Sequence, residues 1–189
     1  MDDVIDTLKK AAENFEDAKK ILRAGDMASG YIRSHIARAQ GFTPLSPATA
    51  AFRGSGIPLN DTGNLRDSIT YEIVSRTTVS VGTVRKDAPI HNSGGTITAK
   101  KNWLFIPSPE ARKFGARVKK PGEVLAAVRN SGCSVFRIGR TVCYSSGRTK
   151  GKPVVLYYLK KSVSIPRREF FYLSEQELNT ILKSLAPDI

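Results

Sequence analysis

The chain has 189 residues, 40% of them apolar and 25% charged, with a formal net charge of +13 at pH 7. That length suits one domain with an elaboration and is too short for several independent cores. No apolar run approaches the roughly 20 residues that span a bilayer, and the acidic start, Met1-Asp2-Asp3-Val4, is unlike a signal peptide, so a chain made and used in the cytoplasm is expected.

Cys133 and Cys143 are too few for a disulfide framework, and His35 and His91 stand at no metal-ligand spacing from them. Reduced structural thiols are expected, with no metal and no cofactor. The charge is unevenly placed. Residues 1–95 carry 12 basic and 11 acidic side chains, whereas residues 96–168 carry 17 basic ones against Glu110 and Glu123. Residues 169–189 carry Lys183 against four acids. The basicity belongs to one segment.

Residues 2 to about 40 read as helix. Ile5, Leu8, Ala12, Phe15, Ala18 and Leu22 recur at three and four residues, and Ala28, Tyr31, Ile32, His35, Ile36 and Ala39 resume the stripe. Asp2, Asp3 and Asp6 suit the helix start, and Gly41 offers a left-handed cap at its end. Gly25-Asp26 leaves open a kink or two abutting helices. A stripe this long on a small domain is expected to pack against a neighbouring subunit. His35, beside the stripe and lacking a ligand partner at i+4, reads as a satisfied core or boundary histidine. A proline-punctuated connector follows, in which Ser46-Pro47 starts a short helix through Phe52, closed by Gly54-Ser55-Gly56.

In the stretch Pro58–Ile69, Asp61 and Thr62 are candidate N-caps and Gly63 permits a tight turn. Leu65 and Ile69, four apart, would share the core side of a short helix. Taken alone this is a helix-to-sheet connector. Ile69–Val74 and Thr78–Thr83 then read as strands, joined as a hairpin by Ser75-Arg76-Thr77. His91-Asn92 follows in Ala88–Gly95, with no carboxylate or nucleophile at a spacing that suggests acid–base chemistry.

Residues 96–164 read as an inserted basic meander. Trp103–Pro107 is a short strand, and Ser108-Pro109 opens a capped helical turn. Val124–Val128, Cys133–Ile138 and Thr141–Tyr144 are three strand candidates with Gly-containing turns between the later ones. Val154–Leu159 is the strongest strand, continued by Lys160–Ile165. A terminal helix follows, with Ser174 and Glu177 as a capping box, Leu178, Ile181, Leu182 and Leu185 as its apolar face, and Pro187 as its stop.

No nucleophile–base pair, phosphate loop, dinucleotide fingerprint or metal cluster is visible, so an enzyme is not expected. The cationic segment has two readings: contact with nucleic acid, or a surface complementary to an acidic protein. Its candidate residues are Lys100, Lys101, Arg112, Lys113 and Arg117, then Lys119, Lys120, Arg148, Lys150 and Lys152.

Three separated pieces carry a family resemblance: Asp61-Thr62-Gly63-Asn64-Leu65-Arg66-Asp67-Ser68-Ile69, Pro89-Ile90-His91-Asn92-Ser93-Gly94-Gly95, and Ile165-Pro166-Arg167-Arg168-Glu169-Phe170. In this order the chain resembles the virion morphogenesis (tail-completion) proteins of Mu-like tailed bacteriophages. The likeness extends to the long N-terminal helix, the Pro44–Pro47 connector, and the stretches Trp103–Lys113 and Leu159–Val163. The family's last motif usually reads Ile-Pro-Ala-Arg-Pro-Phe; here Arg167 replaces the alanine and Glu169 the second proline, while Ile165, Pro166, Arg168 and Phe170 match.

The resemblance implies an α+β fold: a long N-terminal helix packed on an antiparallel sheet, the basic insertion within a single domain of residues 1–189, and a C-terminal helix. It gives structural roles to Asp61, Thr62, Gly63, Leu65, Ser68 and Ile69, to His91, Gly94 and Gly95, and to Ile165, Pro166, Arg168 and Phe170. It further implies a structural virion protein of the tail or neck, made in the host bacterial cytoplasm. A homo-oligomeric ring, hexameric by expectation, would contact other tail and neck proteins and passing DNA, with no membrane partner. A basic nucleic-acid-binding accessory protein is the rival expectation.

Overall fold

A computed structural model describes the chain except for residues 1, 55, 117–118, 148–150 and 186–189, with the side chains of the first helix described from residue 17 onward. The helical elements are α1 (Asp2–Arg38), α2 (Pro47–Arg53), α3 (Asn64–Asp67), α4 (Ala88–Ser93), α5 (Pro121–Asn130) and α6 (Glu175–Leu185), with a 3-10 helix at Pro109–Phe114. The strands are β1 (Thr70–Ser75), β2 (Thr78–Gly82), β3 (Gly95–Thr98), β4 (Leu104–Pro107), β5 (Ser134–Ile138), β6 (Thr141–Ser145), β7 (Val154–Lys160) and β8 (Ser162–Ile165). The fold is mixed α+β, with a long N-terminal helix, antiparallel sheets and a C-terminal helix. Among the described residues no helix is long and apolar enough to cross a membrane.

Contacts divide the chain into two compact units: one of residues 1–42, 58–93 and 168–189, the other of residues 43–57 and 94–167. In the first, α1 runs without interruption through Gly25-Asp26 and lies against the β1–β2 hairpin, α3 and α6. Ala24 and Ala28 pack with Ile181 of α6, while Ile32 and Ile36 join Leu59, Leu65, Ile69, Ala88 and Phe170 in one buried cluster. Ile5, Leu8, Ala12 and Phe15 of the expected stripe lie outside the described side chains. Leu22 is exposed.

Several expectations for this unit need correction. The cap position of α3 is Gly63, held at φ +78, and not Asp61 or Thr62. The chain enters this helix through a left-handed residue, a conformation that costs a β-carbon-bearing residue about 1–2 kcal/mol. At the end of α1 the first left-handed residue is Ala39, before Gly41. On α6 only Ile181 of the anticipated face is buried; Leu178 and Leu182 face out, because α1 covers one narrow side of the helix. The capping box holds: Ser174 N–H donates to Glu177 Oε2 at 2.8 Å and Glu177 N–H donates to Ser174 Oγ at 3.3 Å. Pro187 lies outside the described residues.

The second unit contains a four-stranded antiparallel sheet in the order β4-β7-β6-β5, and a two-stranded β3–β8 ribbon. Its core is formed by Ala111, Val124, Val128, Val142, Tyr144, Leu156, Tyr157 and Leu159. The expected strand Val124–Val128 is helical instead, within α5. Pro121 occupies the first turn, and Glu123 Oε2 accepts from the Lys120 N–H at 3.1 Å. The lysine has no acceptor with which to complete a reciprocal box. Val124 and Val128, four apart, then fall on one buried face. The expected continuation of β7 through residue 165 also breaks. The chain turns at Lys161, and β8 leaves to pair with β3, Gly95 opposite Ile165 and Thr98 opposite Ser162. The short α2 starts as expected, with Ser46 Oγ accepting from the Thr49 N–H at 3.3 Å.

Candidate functional site

In the first unit, parts of the three motif segments meet. Leu65 and Ile69 from the first, and Phe170 from the third, are buried together beside Ala88. The second segment forms α4 and ties down the third through its backbone and Asn92. The His91 carbonyl accepts from the Arg168 N–H at 3.0 Å, and Asn92 Oδ1 accepts from the N–H groups of Phe170 (3.0 Å) and Phe171 (2.9 Å). One amide oxygen thus satisfies two adjacent backbone donors that have no strand or helix to bond to. Arg33 of α1 forks onto the Ile69 carbonyl through Nε at 3.0 Å and Nη2 at 2.6 Å, and Ser68 Oγ donates to the Leu65 carbonyl at 2.7 Å. Gly63 and Arg168 are buried, Asp61 and His91 half-buried, and Thr62 exposed.

The remaining motif residues belong to the second unit. Gly94, at φ +73, turns the chain where a β-carbon would stand 2.8 Å from the Arg167 nitrogen. Gly95 and Ile165 pair in the ribbon, and Pro166 is half-buried. Their part is backbone geometry.

Beside Asn92 and Phe170 in the first unit lies an open cavity of about 290 Å³, lined also by Thr83, Arg85 and Pro89. Its Thr83, Arg85 and Asn92 side chains are committed, Thr83 Oγ1 to Ser68 Oγ at 2.7 Å and to the Arg85 N–H at 3.2 Å. Arg85 grips Asp87 through Nε at 2.9 Å and Nη2 at 2.8 Å, and that grip holds the Asp87 carboxyl below its ordinary value. Asn92 holds the backbone as described. Among the described residues no group of three His, Cys, Asp or Glu is placed to hold a metal. Cys133 and Cys143 are both free thiols.

His35 is a boundary histidine with partners on every side. Its Nδ1 lies 3.2 Å from the Phe170 carbonyl, its Nε2 lies 2.8 Å from Glu177 Oε1, and its ring stacks on Tyr172 with centroids 4.3 Å apart. Burial pushes the Glu177 carboxyl up, but hydrogen bonds from the Ser174 N–H and Oγ and from His35 outweigh it and hold the group below its ordinary value. A carboxyl lowered on folding stabilises the folded state above its unfolded pKa, and that contribution is lost as pH falls through the folded value. Glu177→Gln should therefore be less stable than wild type at neutral pH, with the gap closing as the pH falls below 4.5. Urea midpoints measured across that range test this; a gap independent of pH would exclude the linkage.

The charge separates by unit. Residues 43–57 and 94–167 carry 17 of the 30 Lys and Arg side chains, and of the 17 acids only Glu110 and Glu123. The residues singled out from the sequence are not equivalent there. Arg112 Nη1 donates to the carbonyls of Phe52 (3.4 Å) and Arg53 (3.1 Å), satisfying the end of α2, and Lys113 Nζ pairs with Glu110 Oε1 at 2.8 Å. Lys119 packs over Gly115, and Lys120 starts α5. Lys100, Lys101 and Lys152 are exposed. Arg117, Arg148 and Lys150 lie outside the described residues.

Sequence reasoning passed over a different cationic group. Lys161 Nζ sits 4.3 Å from the centre of the Trp103 ring and the Arg137 guanidinium 5.4 Å from it. The signal was present as an aromatic among basic residues, but the register that joins residues 103, 137 and 161 is a tertiary fact. No family model matches the chain, and comparison with curated proteins and with solved structures returned no match.

Proposed function

We propose that this chain is a structural virion protein of a tailed bacteriophage, a ring-forming tail-completion or neck connector that helps join tail to head. The reading rests on the resemblance to the Mu-like tail-completion proteins. What supports it is the meeting of Leu65 and Ile69 of the first segment and Phe170 of the third in one buried cluster, with Asn92 of the second segment bonded to the backbone of Phe170. A connector role asks for a rigid scaffold and surfaces for neighbours, and the motif residues are committed to backbone and core bonds of the scaffold kind. The exposed Leu178 and Leu182 of α6 offer apolar surface to a neighbouring copy. In this reading the assembly is a homohexameric ring in contact with other tail and neck proteins.

The expected result is co-purification of the labelled chain with intact particles, at a constant copy number per particle by quantitative mass spectrometry. Its absence from purified particles would end the reading. The rival function, a basic nucleic-acid-binding accessory protein, draws on the concentration of positive charge in one unit. It would leave the chain free of particles and bound to nucleic acid in lysates.

A further inference from the structure

We propose that one end of the four-stranded sheet is a binding site for the phosphodiester backbone of duplex nucleic acid. The strand order β4-β7-β6-β5 places four chain ends side by side there. Leu104 pairs with Lys160, Tyr158 with Thr141, and Thr141 with Ile138, so Trp103, Lys161, Arg140 and Arg137 lie at or just beyond that edge. Backbone bonds draw the flanking segments in: the Leu159 N–H donates to the Arg140 carbonyl at 2.8 Å, and the Ala99 N–H to the Lys161 carbonyl at 2.9 Å. The second bond brings Lys100 and Lys101 to the same end.

The result is a cluster of exposed cations, Arg137, Arg140, Lys160 and Lys161 from the ends of β5, β6 and β7, with Lys100 and Lys101 ahead of Trp103 and β4. With strands spaced about 4.8 Å apart, four of them span about 14 Å, a length that meets several successive phosphates. The unit's two carboxylates are elsewhere, Glu110 on the 3-10 helix with Lys113 and Glu123 at the start of α5. Trp103 serves as a platform. Its ring holds Lys161 and Arg137 in position, which lowers the side-chain entropy lost on binding. Two arginines of the cluster can donate to phosphate oxygens, Arg137 through its Nη atoms, because its Nε donates to the Gly139 carbonyl at 2.7 Å. A cluster of cations that holds neither of the unit's two carboxylates fits a uniformly charged polymer better than it fits a protein surface of mixed sign. The proposal stands apart from the particle reading, since a chain found in virions need not bind DNA and a DNA-binding chain need not enter virions.

Trp103 is the chain's single tryptophan, so its fluorescence reports on this site alone. A labelled, mixed-sequence duplex of about 30 base pairs, titrated by anisotropy at several salt concentrations, should bind with micromolar affinity or better at low salt, with a steep salt slope. Trp103 emission should change along the same curve. Arg137→Gln with Lys161→Gln should weaken binding about tenfold or more and reduce the salt slope by about two. Lys119→Gln with Lys120→Gln, an equal loss of charge on another part of the unit, should have a much smaller effect. If circular dichroism shows that the first pair fails to fold, Lys100→Gln with Lys101→Gln takes its place. The site is overturned by any one of three results: no duplex binding, binding without a change in Trp103 emission, or equal losses in both pairs. Equal affinity for polyglutamate at the same ionic strength would also overturn it, in favour of an acidic protein partner.

Discussion

Phe170→Ala is expected to destabilise the first unit by about 3–5 kcal/mol, the cost of emptying a large, closely packed site. Phe170 is only 1% exposed and touches the cluster of Ile32, Ile36, Leu65, Ile69 and Ala88. Elements from both ends of the chain depend on it, so the surroundings have little freedom to collapse into the void. The adjoining backbone adds to the loss, since any shift of residue 170 loosens the two N–H groups held by Asn92 Oδ1. Urea denaturation followed by circular dichroism should show the early loss of a helix-rich transition, with Phe170→Leu intermediate. A loss below about 1 kcal/mol for Phe170→Ala would mean that the cluster is not the centre of this unit.

Gly25→Ala is expected to destabilise, against the direction of helix propensity. Within a helix, alanine is favoured over glycine by about 0.8–1 kcal/mol. At residue 25, however, a β-carbon would run into the Tyr71 ring and stand 2.8 Å from Val79 Cγ2, both on the β1–β2 hairpin. Overpacking of this kind costs about 1–3 kcal/mol, and here it must move a whole hairpin off the helix. The overpacking term wins. Gly30, on the same helix, has nothing within 4 Å of the equivalent position, so Gly30→Ala should raise stability by about 0.5–1 kcal/mol. Opposite signs in the two thermal melts are the expected outcome. If both variants stabilise, the hairpin does not approach α1 at Gly25.

That pair also shows where sequence reading stops. Gly25-Asp26 leaves a kink or two abutting helices open in the sequence, because glycine lowers helix propensity whatever its surroundings. The structure keeps the helix whole and uses the missing side chain as space for Tyr71. A similar ambiguity produced the error at Val124–Val128. Five apolar residues in a row fit a buried strand or one face of a helix equally well by periodicity. Pro121 and Glu123 were the local signals that decide for helix, and they lie outside the run itself.

The candidate site was legible in part. The turn at Gly63 could be picked out, since a glycine after Asp61-Thr62 is a local turn signal. That the Asn92 side chain would tie the second segment to the third could not be read, because it depends on two backbone donors 78 and 79 residues away. The importance of Lys161 and Arg137 was likewise hidden until β7 and β5 were placed in one sheet.

The sequence by itself determined the mixed α+β class, the long first helix, the hairpin, the capped terminal helix and the concentration of charge in one segment. These follow from spacings of two to four residues and from counting, which need no knowledge of distant neighbours. Only the tertiary structure decided which apolar residues are covered, as the exposed Leu178 and Leu182 show beside buried Ile181. It alone decided that β7 and β8 belong to different sheets, and that Leu59 is buried at a left-handed φ of +61. The physical reason is common to all three. Burial, register and strain are settled by partners far along the chain, whose contacts outweigh the local preference of about a kilocalorie per residue.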